Sequence, residues 1–194
     1  MSIPQSVRHA AAVLALATAC LTASCASPAL TVYTLGAPAA SDAPPLGQKT
    51  AVIEIRRVSV PDYLDTQDIV VRNGNVLMRS GQGRWATRVS LEATYLLSSE
   101  LARRYPDALV TSQPPLEPPN DRIFVTISRL DITSAGLATL DADWQIVPRA
   151  ATRPIRRGRA QFTANGPVAT DQDVVTLTKD VLSQLADRID VALR

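Results

Sequence analysis

Leu137-Ala138-Thr139-Leu140-Asp141-Ala142-Asp143-Trp144-Gln145-Ile146-Val147 alternates, with Ala138, Leu140, Ala142, Trp144 and Ile146 on one face and mostly polar residues on the other. A period of two sustained over this length is the pattern of a strand with one face on a core and the other toward water. The neighbouring segments repeat it. Residues 122–132 set Ile123, Val125 and Ile127 on one face, and a third strand is predicted over roughly 155–164. Three consecutive strands of this kind predict an antiparallel meander. Arg153, Arg156, Arg157 and Arg159 form the densest basic stretch. They read either as an anionic-lipid or phosphate patch or as a solvated strand face. The second is favoured, with Arg157 and Arg159 pairing with Asp141 and Asp143 on the preceding strand.

Working outward, the chain ends in Val174, Leu177, Val181, Leu185, Ile189 and Leu193 at helical spacing, with Asp171 and Asp173 at the start of the helix. There they oppose the positive end of the helix dipole favourably. A second helix is predicted over 90–105, with Ser90 as N-cap, an apolar face of Leu91, Tyr95, Leu97, Leu101 and Ala102, Glu92, Glu100, Arg103 and Arg104 on its polar side, and Pro106 as its stop. Between it and the meander, Pro114-Pro115-Leu116-Glu117-Pro118-Pro119 can be only a stiff loop. Earlier still, 51–58 is a firm strand ended by Pro61, and 69–72 and 76–79 flank Asn73-Gly74, a signal for a type I′ hairpin turn. The sum is one α+β domain, a mostly antiparallel or mixed sheet covered on one face by two helices.

The first residues have a different purpose. Arg8, an apolar run over 10–21, and the small residues Thr22, Ala23 and Ser24 before Cys25 have the order of a secretory signal. The run is shorter than the roughly 20 residues needed to cross a bilayer. Leu21-Thr22-Ala23-Ser24-Cys25 resembles a bacterial lipobox, which makes Cys25 the predicted site of lipid attachment. Cleavage after Ala17-Thr18-Ala19, releasing a soluble periplasmic protein, is the alternative. The expected organisation is therefore a signal over 1–24, a lipidated N-terminus and Pro/Ala/Ser-rich tether over 25–49, and a folded domain over 50–194. Within the tether, 30–35 is an apolar island expected to dock as an edge strand.

Composition narrows the chemistry. The single histidine, His9, and Cys20 both lie ahead of Cys25, so the expected mature chain holds no histidine and no free thiol. That removes Ser-His-Asp and Cys-His nucleophilic systems and the usual zinc ligands. Lys49 and Lys179 are the only lysines, and neither is placed for a Ser-Lys dyad. Gly47-Gln48-Lys49-Thr50 lacks the spacing of a P-loop. Asp141 and Asp143, read as a glycosidase pair, are better explained as an exposed strand face. The formal charge of +2 is near balance and gives no nucleic-acid signature. No catalytic activity, cofactor or metal is expected.

Several short segments, in this order and spacing, resemble the PqiC-like auxiliary lipoproteins of ABC-type transport systems that include an MCE protein. They are Tyr33-Thr34-Leu35, Val58-Ser59-Val60-Pro61-Asp62-Tyr63-Leu64-Asp65, Ile69-Val70-Val71-Arg72, Arg84-Trp85-Ala86, Asp121-Arg122 and Ala142-Asp143-Trp144. The resemblance implies a lipoprotein held at the periplasmic face of the outer membrane that docks the periplasmic MCE component of a lipid transporter. It also admits a homo-oligomer around a transport conduit. Tyr63, Leu64 and Trp85 are the candidate partner contacts, with Tyr63 and Leu64 bounded by Asp62 and Asp65 as an interface anchor would be. The alternative is that Tyr63 and Leu64 cover the end of the sheet and that Trp85 is a lid over the core beneath the helix over 90–105, which for Trp85 is the favoured reading. The competing function is an adaptor in outer-membrane or cell-wall assembly, and a direct lipid carrier comes third.

Overall fold

A computed structural model describes residues 29–36, 47 and 50–191. Cys25, the signal segment and Leu193 lie outside the described residues. In chain order the elements are β1 (Thr31–Tyr33), β2 (Ala51–Ile55), β3 (Asp68–Asn73), β4 (Val76–Trp85), α1 (Val89–Arg104), β5 (Ala108–Thr111), β6 (Asp121–Ile132), β7 (Leu137–Pro148), β8 (Arg156–Asn165) and α2 (Asp171–Arg188). The fold is α+β with mixed sheets. Its strands divide into two sheets where one was expected, a five-stranded sheet in the order β5-β2-β6-β7-β8 and a three-stranded sheet in the order β1-β4-β3.

The meander is as the alternation predicts: β6, β7 and β8 are antiparallel, and Ala138, Leu140, Ala142 and Ile146 are buried. Register also tests the charge pairing. Asp143 lies opposite Arg159 and bonds it, but Asp141 faces Gln161 and takes Arg129 at 2.7 Å from β6 rather than Arg157. Trp144 packs flat over Gly158 on β8, where a Cβ would fall 2.2 Å from the indole.

β2 is parallel to both of its neighbours, β5 and β6. Parallel neighbours need a crossover connection, and α1 lies on the route from β2 to β5. β5 went unpredicted because four residues carry too little periodicity to register. Past Ile55 the chain stays beside β6 through a bridge between Ser59 and Thr126, and the end of β6 then meets β3 where Arg72 bridges Thr133. One long strand thus joins the two sheets. The hairpin turn is displaced by one residue from expectation: Asn73 pairs with Val76, so Gly74-Asn75 forms the loop. Gly74 has φ +58, and no described non-glycine residue has positive φ. This is the φ pattern of a type II′ turn, which puts Gly first, rather than type I′.

α2 buries Val174, Leu177, Val181 and Leu185 together with Ile189 just past its end, as its spacing predicts. α1 differs from its reading. Its buried face is Val89, Ser90, Glu92, Ala93, Thr94, Leu96, Leu97 and Leu101, whereas Tyr95 and Ala102 are exposed. Its N-cap is Arg88, which makes no side-chain capping bond, so Ser90 is inside the helix. The two helices meet at their C-terminal ends, where Arg104 donates to the carbonyls of Ala186 and Ile189 and the Tyr105 hydroxyl donates to Asp190 while accepting from the amide of Val191.

Candidate functional site

Most of the segments that carry the resemblance converge where the loop after β2, the β3-β4 hairpin and the start of α1 meet. Pro61 begins a compact turn, its carbonyl accepting from the amides of Leu64 and Asp65. Asp65 then reaches α1, accepting from the Ser90 amide at 3.2 Å and from Arg57 at 3.2 Å, while Arg57 donates to the Ser90 hydroxyl at 2.7 and 2.9 Å. Asp65 thereby supplies the capping acceptor that Arg88 does not. Burial pushes the Asp65 carboxyl up, but the Ser90 hydrogen bonds and the charges of Arg57 and Arg88 outweigh it and hold it below the usual carboxylate range.

Trp85 ends β4 with its amide donating to the Gln67 carbonyl at 2.7 Å, and its ring is buried with 4% of its surface exposed. Leu64 is 8% exposed and Tyr63 is 45% exposed. The structure therefore makes Leu64 and Trp85 core residues, the alternative reading of each and not the partner-contact one, because the turn folds Leu64 under the sheet junction and β4 carries the indole inward. Only Tyr63 of the three presents its ring outward. Beneath it Arg72 holds Asp131 at 2.8 Å, and this hydrogen bond, supported by the nearby Tyr63, raises the guanidinium pKa further. Leu64, Trp85, Leu130 and Ile132, with Arg72 and Asp131, wall a cavity of about 30 Å³. Ligand pockets measure about 300–1,000 Å³, so this cavity does not have the size of a lipid site.

Three buried carboxylates are structural nodes that the sequence does not reveal. Glu92, read as a solvent-facing helix residue, is 2% exposed. One of its oxygens accepts from the Thr34 hydroxyl (3.1 Å) and the Leu35 amide (3.0 Å), and the other from the amide and hydroxyl of Thr87 (2.9 Å each). It clips the strand nearest the N-terminus to the start of α1. Glu54, 4% exposed, bonds Arg56 and Arg122 at 2.9 Å each. Burial pushes its carboxyl up, but the two guanidiniums outweigh burial and lower it overall. Asp121 is likewise buried and bonds Arg153 at 2.7 Å.

A few apolar side chains of the smaller sheet and its edge point outward. Val76 (62% exposed) and Met78 (47%) stand on the β3-β4 hairpin, and Leu30 (62%) and Val32 (63%) stand at the start of β1 and on it. Among the described residues no cluster of His, Cys, Asp and Glu is placed to hold a metal ion. No described helix is long and apolar enough to cross a membrane.

The chain belongs to the ABC-type transport auxiliary lipoprotein component family, whose model matches residues 33–190. This is the family the sequence resembles, and it is a family of auxiliary transport components, not of known enzymes. No curated protein matches the chain. Among solved structures, an uncharacterized protein aligns at TM-score 0.66 and 17% identity, over 82% of this chain and 95% of that one. A Xanthomonas campestris protein of the DUF330 family aligns at TM-score 0.56 and 14% identity, over 80% and 90%. At these identities the likeness establishes the fold alone. PelC from Paraburkholderia phytofirmans, crystallised as a dodecamer, aligns at TM-score 0.44 and 6% identity over 76% of this chain and 94% of that one, too slight a likeness to bear on assembly.

Proposed function

We propose that this protein is an outer-membrane lipoprotein, anchored through acylated Cys25, that docks the periplasmic MCE component of an ABC-type lipid transport system. Its role is docking, not catalysis. The family match over residues 33–190 carries the reading, since it makes the chain an auxiliary component of an ABC-type system. Tyr63, exposed beside Arg72, supplies the kind of side chain, an aromatic ring near charged groups, that anchors an interface.

The test is affinity capture of the full-length protein from its native envelope beside a Cys25→Ala control, with mass spectrometry of bait and partners. Acylated Cys25 with a co-purifying MCE-domain protein is the expected result. Unmodified Cys25, or partners confined to cell-wall or outer-membrane assembly, overturns the proposal.

A further inference from the structure

The sequence suggests a long tether: from Cys25 to Thr50 the chain spans 25 residues, a reach of up to about 90 Å when extended. β1 removes most of that length. It pairs in parallel with β4, Thr31 with Gly83, Val32 with Arg84 and Tyr33 with Trp85. The Tyr33 carbonyl accepts from the Ala86 amide at 2.7 Å, Leu35 is buried at 2% exposure, and Glu92 holds Thr34 and Leu35. The folded body therefore begins near Leu30, five residues beyond Cys25. Whatever the conformation of those five, they span no more than about 18 Å.

The outward side of this docked strand is apolar. Leu30 and Val32, two residues apart and so on the same side of the strand, are 62% and 63% exposed, and no described part of the protein covers them. Across from Val32 stands Arg84, which with Arg79 shares the single carboxylate of Asp68 at 3.3 and 3.1 Å, leaving one net positive charge beside the apolar pair. The nearby carboxylate of Asp171 lies on the other side of β4: a Cβ at Gly83 would fall 2.3 Å from its oxygen, and Gly83 alternates with Arg84. An apolar pair with an excess guanidinium, covalently held within about 18 Å of lipid chains, faces one surface that is always present.

From this we infer that β1 is a membrane-contacting edge, with Leu30 and Val32 seated in the headgroup region of the bilayer that holds the Cys25 acyl chains and the guanidinium pair among anionic headgroups. The inference rests on the acylation of Cys25 in the proposed function. It makes the protein a body lying against the membrane, not one projecting from it on a long leash.

The experiment uses full-length acylated protein carrying L30C or V32C, labelled with an environment-sensitive nitrobenzoxadiazole probe, in vesicles of phosphatidylethanolamine and phosphatidylglycerol. M78C and L109C are the reference positions. Vesicles are expected to blue-shift emission at positions 30 and 32, and lipids with a doxyl group high on the acyl chain to quench it, with neither effect at 78 or 109. Intact mass of the same samples reports acylation. Probes at 30 and 32 that stay in water on an acylated protein overturn this inference alone, and a chain without acyl groups overturns the proposed anchoring as well. A blue shift without doxyl quenching means that a second copy or another protein covers β1, and this too overturns the inference.

Discussion

α1 and α2 are similar in length and opposite in construction. α2 caps itself: the Thr170 hydroxyl accepts from the Asp173 amide at 3.2 Å and the Asp173 carboxylate accepts from the Thr170 amide at 2.9 Å. Its buried stripe is aliphatic apart from Thr178. α1 takes its cap from Asp65, which is 25 residues before Ser90, and buries Ser90, Glu92 and Thr94, each bonded to another element. The contrast teaches that α2 is held chiefly by apolar area, whereas α1 is a polar junction through which the N-terminal strand, the loop after β2 and the hairpin are joined.

The comparison is open to attack by mutation. Leu185→Ala, at a fully buried α2 position, is expected to cost about 3–4 kcal/mol, read as a lower midpoint in urea unfolding. Glu92→Ala should cost about 2–3 kcal/mol by stranding the amides of Leu35 and Thr87. Its signature is local: amide hydrogen exchange at residues 33–35 accelerates well beyond that in α2. Uniform acceleration across both helices would show that Glu92 is not a junction.

Smaller effects refine the picture. Thr170→Ala removes the side-chain half of the α2 capping box and is expected to cost about 1 kcal/mol. Arg88→Ser at the α1 cap, by contrast, should gain less than about 0.5 kcal/mol, because Asp65 already holds the Ser90 amide. An equal and opposite response at the two caps in thermal unfolding would erase the distinction. Finally, Glu54 and Asp65 have lowered pKa values in the folded protein. Their stabilisation is complete above the unfolded carboxylate range near pH 4 and is lost as pH falls through the lower folded values. Unfolding free energy should therefore decline below about pH 5, and Glu54→Gln should flatten that decline.

Local pattern made much of this molecule legible in the sequence. The alternation of 137–147 and its neighbours fixed the meander, the spacing of Val174 through Ile189 placed α2, and the short apolar island at 30–35 marked an edge strand. Of the candidate site, Tyr63 is exposed as a contact residue must be, whereas Leu64 and Trp85 are not. Burial of a loop or strand-end side chain depends on what folds over it, so neighbouring residues leave both the core and the contact reading open. Glu92 shows the same limit from the other side, since an acidic residue in a helix reads as solvent-facing until Thr34, Leu35 and Thr87 surround it.

The sequence alone determined where strands and helices form, because periodicity is a property of neighbouring residues, and it determined the absence of histidine and thiol chemistry after Cys25. Only the tertiary structure decided that the strands divide into two sheets joined along β6, that β2 and β5 pair in parallel, and that a strand beginning six residues after Cys25 is locked to the body. Those outcomes rest on hydrogen bonds and burial between residues tens of positions apart, whose partners are chosen by the packing of the whole chain.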